Sequence, residues 1–132
     1  MTLEINLADV HAEVSAAVLR YEEALVGNDV AVLDELFWSS PYTVRFGAGE
    51  VLYGQDEILA FRKARSSRGL DRSIRRMEVT TFGADFATAA IEFERPGESN
   101  IGRQSQTWVR FAEGWQVVAA HVSSMPRPVE AR

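Results

Sequence analysis

Hydrophobic side chains return every three or four residues near the start of the chain. Val10, Val14, Ala17, Val18, Tyr21, Ala24 and Leu25 fall on one helical face, while Glu13, Arg20, Glu22 and Glu23 lie mostly off it. The spacing predicts a helix over 9–27, with Asp9 as its N-cap. Gly27-Asn28 stops it, and Asp29 caps a second, short helix through Phe37. Ser39-Ser40-Pro41 breaks that helix. TVRF and EVLY, joined by Gly47-Ala48-Gly49, then read as a β-hairpin. Residues 55–65 return to helical spacing, with Ile58, Leu59 and Phe61 as the apolar positions.

Beyond a loop from Ser66 to Asp71 the period changes to two. Runs over 72–82, 85–95, 102–111 and 115–124 alternate as strands do. Their separators are Gly83-Ala84, Pro96 to Asn100, and Glu113-Gly114, and such short turns imply antiparallel neighbours. Segregated helices followed by a four-strand meander define an α+β layer fold. With 132 residues the chain fits one domain, 1–132.

Composition narrows the function classes. There are no cysteines, which excludes a Cys nucleophile, a disulfide framework and a thiolate zinc site. Two histidines, His11 and His121, are too few for a His-rich metal cluster; neither a metal nor another cofactor is expected. The net charge of −5 argues against nucleic acid as a partner. No apolar stretch approaches a membrane span, and acidic residues stand where a signal peptide would be basic; the expected location is the cytoplasm. No glycine-rich phosphate motif is present. All but Lys63 of the 14 basic residues are Arg, a residue suited to bidentate carboxylate binding.

The last hairpin can be counted residue by residue. A three-residue turn at Ala112-Glu113-Gly114 with a glycine bulge pairs Phe111 with Trp115, Val109 with Val117, Thr107 with Ala119, Ser105 with His121 and Arg103 with Ser123. That face runs from apolar near the turn to Ser105, His121, Arg103 and Ser123 at the far end, as a ligand pocket does. The other face, with Gln104, Gln106, Trp108, Arg110, Val118, Ala120 and Val122, is expected to be covered by a second copy of the chain, giving a homodimer. A two-residue loop at Glu113-Gly114 is the alternative, and would set His121 beside Gln106.

Tyr21 lies on the apolar stripe of the first helix, as either a core tyrosine or a pocket residue. Arg45 alternates with Val44 and Phe46, so it points inward if those two point outward, and is otherwise a solvated edge arginine. The stretch RKARSSRGLDRSIRR, from Arg62 to Arg76, reads as a solvated loop and strand edge that could receive an acidic partner.

The order of elements and the run from Gly114-Trp115 to His121-Val122-Ser123 resemble the nuclear-transport-factor-2-like (SnoaL-like, cystatin-like) superfamily. A closer resemblance, to the AtzH-like family whose members are also called oxalurate catabolism protein HpxZ, is carried by RYEEAL, NDVAVLDELFW, TVRFG, LYGQDEILAFRKAR, TTFGADFA, GRQSQTWVR and GWQVVAAHVS. The resemblance implies a cone formed by a curved antiparallel sheet around a long helix. It also implies a place beside amidase-signature enzymes in nitrogen-compound catabolism, with conversion of 1,3-dicarboxyurea to allophanate as the proposed activity. Tyr21 and Arg45 match the residues proposed as needed for it. On this reading the protein is a cofactor-independent decarboxylating amidohydrolase acting on a small anionic carboxylate, with Tyr21 and Arg45 catalytic and Arg103, Ser105, His121 and Ser123 holding substrate. The rival readings are a noncatalytic accessory subunit of an amidase-signature partner, and an isomerase or cyclase using His121 as base.

Overall fold

The computed structural model describes residues 3–128. Three helices, α1 (Ala8–Val26), α2 (Val30–Leu36) and α3 (Gln55–Ala64), accompany six strands: β1 (Val44–Phe46), β2 (Val51–Tyr53), β3 (Ser73–Phe82), β4 (Phe86–Glu94), β5 (Ile101–Phe111) and β6 (Gly114–Met125). The strands form one curved, unclosed sheet in the order β2-β1-β6-β5-β4-β3. Strands β3 to β6 are the antiparallel meander that the turns predict. The first hairpin joins the sheet by a parallel pairing of β1 with β6, which the local sequence does not announce.

Helix α1 lies on the concave face and buries the stripe read from its spacing: Val10, Val14, Val18, Tyr21, Ala24 and Leu25. Its entry differs from the expected cap. Leu7 occupies the N-cap without a side-chain bond, and Asp9 sits in the first turn with its carboxylate on the Val10 amide. Asp29 does cap α2, accepting from the Val32 amide. Asn28, in the left-handed region at φ 47°, ends the α1 turn and reaches α3: it donates to the Arg62 carbonyl and accepts from Arg65 Nε at 2.9 Å. The two helices that carry the site are thereby tied at their ends.

The inner face of the sheet is stepped. Trp108 lies between Ala87 and Val117, Gln106 between Ala89 and Ala120, and Gln104 between Ile91 and Val122. Alanines beside large side chains leave room for α1 and for polar groups to lie flat under it. Gly102 serves the same end by close approach: a Cβ there would stand 2.1 Å from the Phe93 ring.

The β5–β6 hairpin overturns the expected face assignment. Its loop is Ala112-Glu113, with Phe111 opposite Gly114 and Arg110 opposite Trp115, so β5 turns its even-numbered residues inward. On β6 an irregularity at Val118 inserts one extra residue and restores the pairing of Thr107 with Ala119, Ser105 with His121 and Arg103 with Ser123. One inserted residue reverses which face the following side chains take. Trp115 and Val117 therefore face the core as expected, whereas His121 and Ser123 face out. Trp108 and Ala120, expected on the outer surface, are buried.

Candidate functional site

Four elements converge on the Tyr21 hydroxyl. Tyr21 comes from the C-terminal half of α1 and is fully buried, stacked on Phe37 with ring centroids 5.6 Å apart and edge-on to Trp108. Arg62 comes from α3, one helical turn after the buried Ile58, and is 1% exposed. Its guanidinium lies over the Phe37 ring at 4.1 Å and donates through Nη2 to the Tyr21 oxygen at 3.4 Å. Gln104, from β5, donates through Nε2 to the same oxygen at 3.2 Å. Arg45, from β1, is 4% exposed and points inward, while Val44 and Phe46 point outward.

The charges are unbalanced. Arg45 donates to Glu50 at 2.7 Å, and that carboxylate folds back over Gly47 on the hairpin turn. Among the described residues Arg62 has no carboxylate in contact, only a longer-range attraction to Asp34. Arg65 bonds the neutral Asn28 side chain. Buried guanidinium nitrogens without a partner among the described residues are Arg45 Nε, Arg62 Nε and Nη1, and Arg65 Nη2. Each such donor carries a desolvation cost unless something accepts its proton.

The electrostatics register the crowding. Burial lowers the Arg62 pKa, with repulsion from Arg45 adding to it and Tyr21 opposing. Burial together with Arg45 and Arg62 brings Arg65 down to about 10. For Tyr21 burial acts upward, yet Arg62, Arg45, the Gln104 hydrogen bond and Arg72 outweigh it and hold the phenol below its ordinary range. A phenol tuned in this way is a better proton donor than free tyrosine.

Of the residues that the sequence singles out, Tyr21 and Arg45 face the interior. Arg103, Ser105, His121 and Ser123 do not join them. They lie on the outer face and, with Arg76 and Glu92, line a shallow depression of about 400 Å³. His121 is exposed there, edge-on to Phe46 at 5.8 Å. It cannot serve as an inward base, so the isomerase reading loses its candidate. Arg62, Arg65, Arg72 and Gln104 complete the inner cluster and were not expected. Arg62 follows Ile58 by four residues, a spacing that puts it on the buried stripe of α3; that was the readable sign. Arg72 is likewise buried rather than solvated, and with it Glu22.

The fold is shared with proteins of known structure. A Salmonella enterica protein of the nuclear-transport-factor-2-like superfamily superposes with a TM-score of 0.73 at 20% identity, over 93% of this chain and 95% of that one, and shows the shared fold. The AtzH-like family model matches residues 3–128, and the chain belongs to that family. A crystal structure of a protein of unknown function from Pectobacterium atrosepticum is 63% identical, with a TM-score of 0.90 over 92% of this chain and 94% of that one. A cystatin-like fold protein from Burkholderia xenovorans is 45% identical, with a TM-score of 0.91 over 96% and 99%. A search of curated proteins finds no match.

Proposed function

We propose that the protein is a cofactor-independent enzyme that removes carbon dioxide from a compact dianionic carboxylated urea, in the manner of 1,3-dicarboxyurea giving allophanate. The observation that carries this reading is the set of buried guanidinium donors without partners around the Tyr21 hydroxyl. Arginine donors left open inside a protein suit a carboxylate ligand that accepts them in pairs. Among the described residues Arg45, Arg62 and Arg65 meet one carboxylate in contact, that of Glu50, and such a balance suits a ligand with two negative charges.

The chemistry assigns the two ends of the substrate. In decarboxylation the bond between the carboxylate carbon and nitrogen breaks, its electron pair stays on nitrogen, and nitrogen takes one proton. The leaving carboxylate becomes neutral carbon dioxide. A cation held against it would stabilise the ground state more than the transition state and slow the step. Arg62 and Arg45 therefore hold the carboxylate that is retained, and the one that leaves lies away from their guanidinium groups. Tyr21 supplies the proton to the departing nitrogen. As carbon dioxide leaves, negative charge builds on nitrogen beside the guanidinium cluster, which favours the transition state.

The test is carbon dioxide release from a freshly generated carboxylated urea. Wild type turns it over. Tyr21→Phe loses kcat by at least about a hundredfold, the contribution of a positioned acid, and Arg45→Ala loses turnover with the fold intact. Full activity in either variant overturns the assignment.

The outer face supports a second element of this reading, a homodimer. Its centre is a field of small side chains, Thr88, Ala90, Ser105, Thr107 and Ala119, beside a row in which Arg76, Glu92 and Arg103 alternate in sign across neighbouring strands. An alternating row can meet its own two-fold copy with opposite charges in register. Ser105→Arg places bulk and charge at the centre of that face. Light scattering then shows monomer where wild type shows dimer; two monomers in both cases refute the interface.

A further inference from the structure

The Tyr21 oxygen is reached by a chain of contacts that reads backward to a buried ion pair. Glu22, adjacent to Tyr21 on α1, accepts from Arg72 Nε at 2.7 Å and Nη2 at 2.6 Å. The same Nη2 donates to Oε1 of Gln104 at 2.7 Å. Phe93, given room by Gly102, carries the Arg72 guanidinium on its face at 4.1 Å. A planar fork held on a carboxylate and a ring has one direction left to point. It fixes Oε1 of Gln104 as an acceptor, so the amide presents its NH₂ to Tyr21. A reversed amide would set donor against donor.

The consequence falls on the phenol. A neutral tyrosine hydroxyl has one hydrogen to give and two acceptor positions. Gln104 Nε2 and Arg62 Nη2 are both donors to it. We propose that Gln104 is a positioning residue: Glu22 and Arg72 lock its amide so that it can only donate to Tyr21, and with Arg62 doing the same, the phenol's own hydrogen is turned away from the protein and toward the bound ligand. This deepens the reading of Tyr21 as the acid and rests on it. The same lock favours the phenolate once the proton has gone, because both hydrogen bonds strengthen to an anion. The groups around the hydroxyl act together: Arg62 from α3, Arg45 from β1 and Arg72 from the segment before β3 are cationic, Glu22 on α1 is engaged by Arg72, and Phe37 and Trp108 exclude water.

The experiment reads the phenol itself and needs no substrate. The chain has three tyrosines, and Tyr42 and Tyr53 are 78% and 57% exposed. In a Tyr42→Phe, Tyr53→Phe background, Tyr21 is the sole phenol, and its ionisation is followed by ultraviolet absorbance against pH. The expected midpoint lies below that of free tyrosine. Gln104→Met removes a hydrogen bond to the anion and raises the midpoint by about one pH unit, a tenfold shift. Gln104→Glu keeps the volume and the Arg72 contact, sets an acceptor against the hydroxyl, and raises the midpoint further. Circular dichroism confirms the fold of each, and if the methionine variant does not fold, the glutamate variant decides alone. An unchanged midpoint in the folded variants overturns the proposal. Anion binding at Arg62 is measured separately, so a failure there condemns the substrate reading and leaves the lock standing.

Discussion

Replacing Arg62 by methionine removes a charge that, among the described residues, has no carboxylate in contact. The side chain is 1% exposed; among the described residues two of its three nitrogens have no partner, and the third makes one bond, of 3.4 Å, to Tyr21. Taking a guanidinium out of water has an effective cost of several kcal/mol after relaxation. The stack on Phe37 at 4.1 Å returns about 2 kcal/mol. Repulsion from Arg45 adds to the cost, and Asp34 offsets part of it. Methionine fills nearly the same volume without a charge, and such replacements of buried ions range from neutral to about 4 kcal/mol stabilising. For a domain of this size 1 kcal/mol moves Tm by roughly 3–5 °C, so the variant is expected to melt about 5 °C or more above wild type. The assay is thermal unfolding by circular dichroism, with and without malonate. At a hundred times its dissociation constant the dianion adds about 2.7 kcal/mol to wild type by mass action and little to Arg62→Met. A variant that melts well below wild type, or that keeps the full malonate shift, refutes the reasoning, because Arg62 would then be a structural cation rather than an open site.

Other consequences can be checked beside it. Gly102→Ala drives a Cβ into the Phe93 ring, which is packed under Arg72. Denaturant unfolding should show a loss of about 1–3 kcal/mol, and the Tyr21 titration should shift with it as the Arg72 fork is displaced. Asp29→Ala removes the α2 cap and costs about 1 kcal/mol in the same assay without altering anion binding. Arg103→Ala and His121→Ala, on the outer face, leave the malonate shift in thermal unfolding unchanged; a lost shift would move the ligand to that side of the sheet. Because the Tyr21 pKa is depressed in the fold, the native state releases this proton first. Tyr21 therefore adds stability as pH rises through its folded pKa toward that of free tyrosine, and contributes nothing extra below it. Comparing chemical denaturation of wild type and Tyr21→Phe across that alkaline window tests the sign.

How far the chain could be read without coordinates depended on where a single residue decides the outcome. The α1 stripe was legible because seven apolar positions agree on one face and any one could be lost without changing the answer. Tyr21 inherited its inward direction from that stripe. Arg45 followed from two neighbours whose outward burial the alternation allowed but did not compel. The β5–β6 face was different. Its direction hung on the length of one turn and on an extra residue at Val118, and a strand has no redundancy against a shift of one. Gln104 and Gln106 have no apolar character to betray them, and the turn count alone turns them outward and Ser105 and His121 inward. Arg62 and Arg72 were hidden by composition. Among seven basic residues between 62 and 76 nothing local distinguishes Arg62 and Arg72, whose side chains the fold buries, except the position of Arg62 one turn after Ile58. Neither the Glu22 pairing, 50 residues away in sequence, nor the parallel seat of β1 on β6 has a local signature.

On the proposed function, the interior cluster and not the outer face takes a small dianion. A crystal structure of the protein grown with malonate or oxalurate tests it most directly. The ligand is expected between Arg45 and Arg62, with one of its oxygens accepting the Tyr21 hydroxyl hydrogen. An anion seated instead beside Arg103 and His121, with the guanidinium cluster unoccupied at saturating ligand, would contradict it.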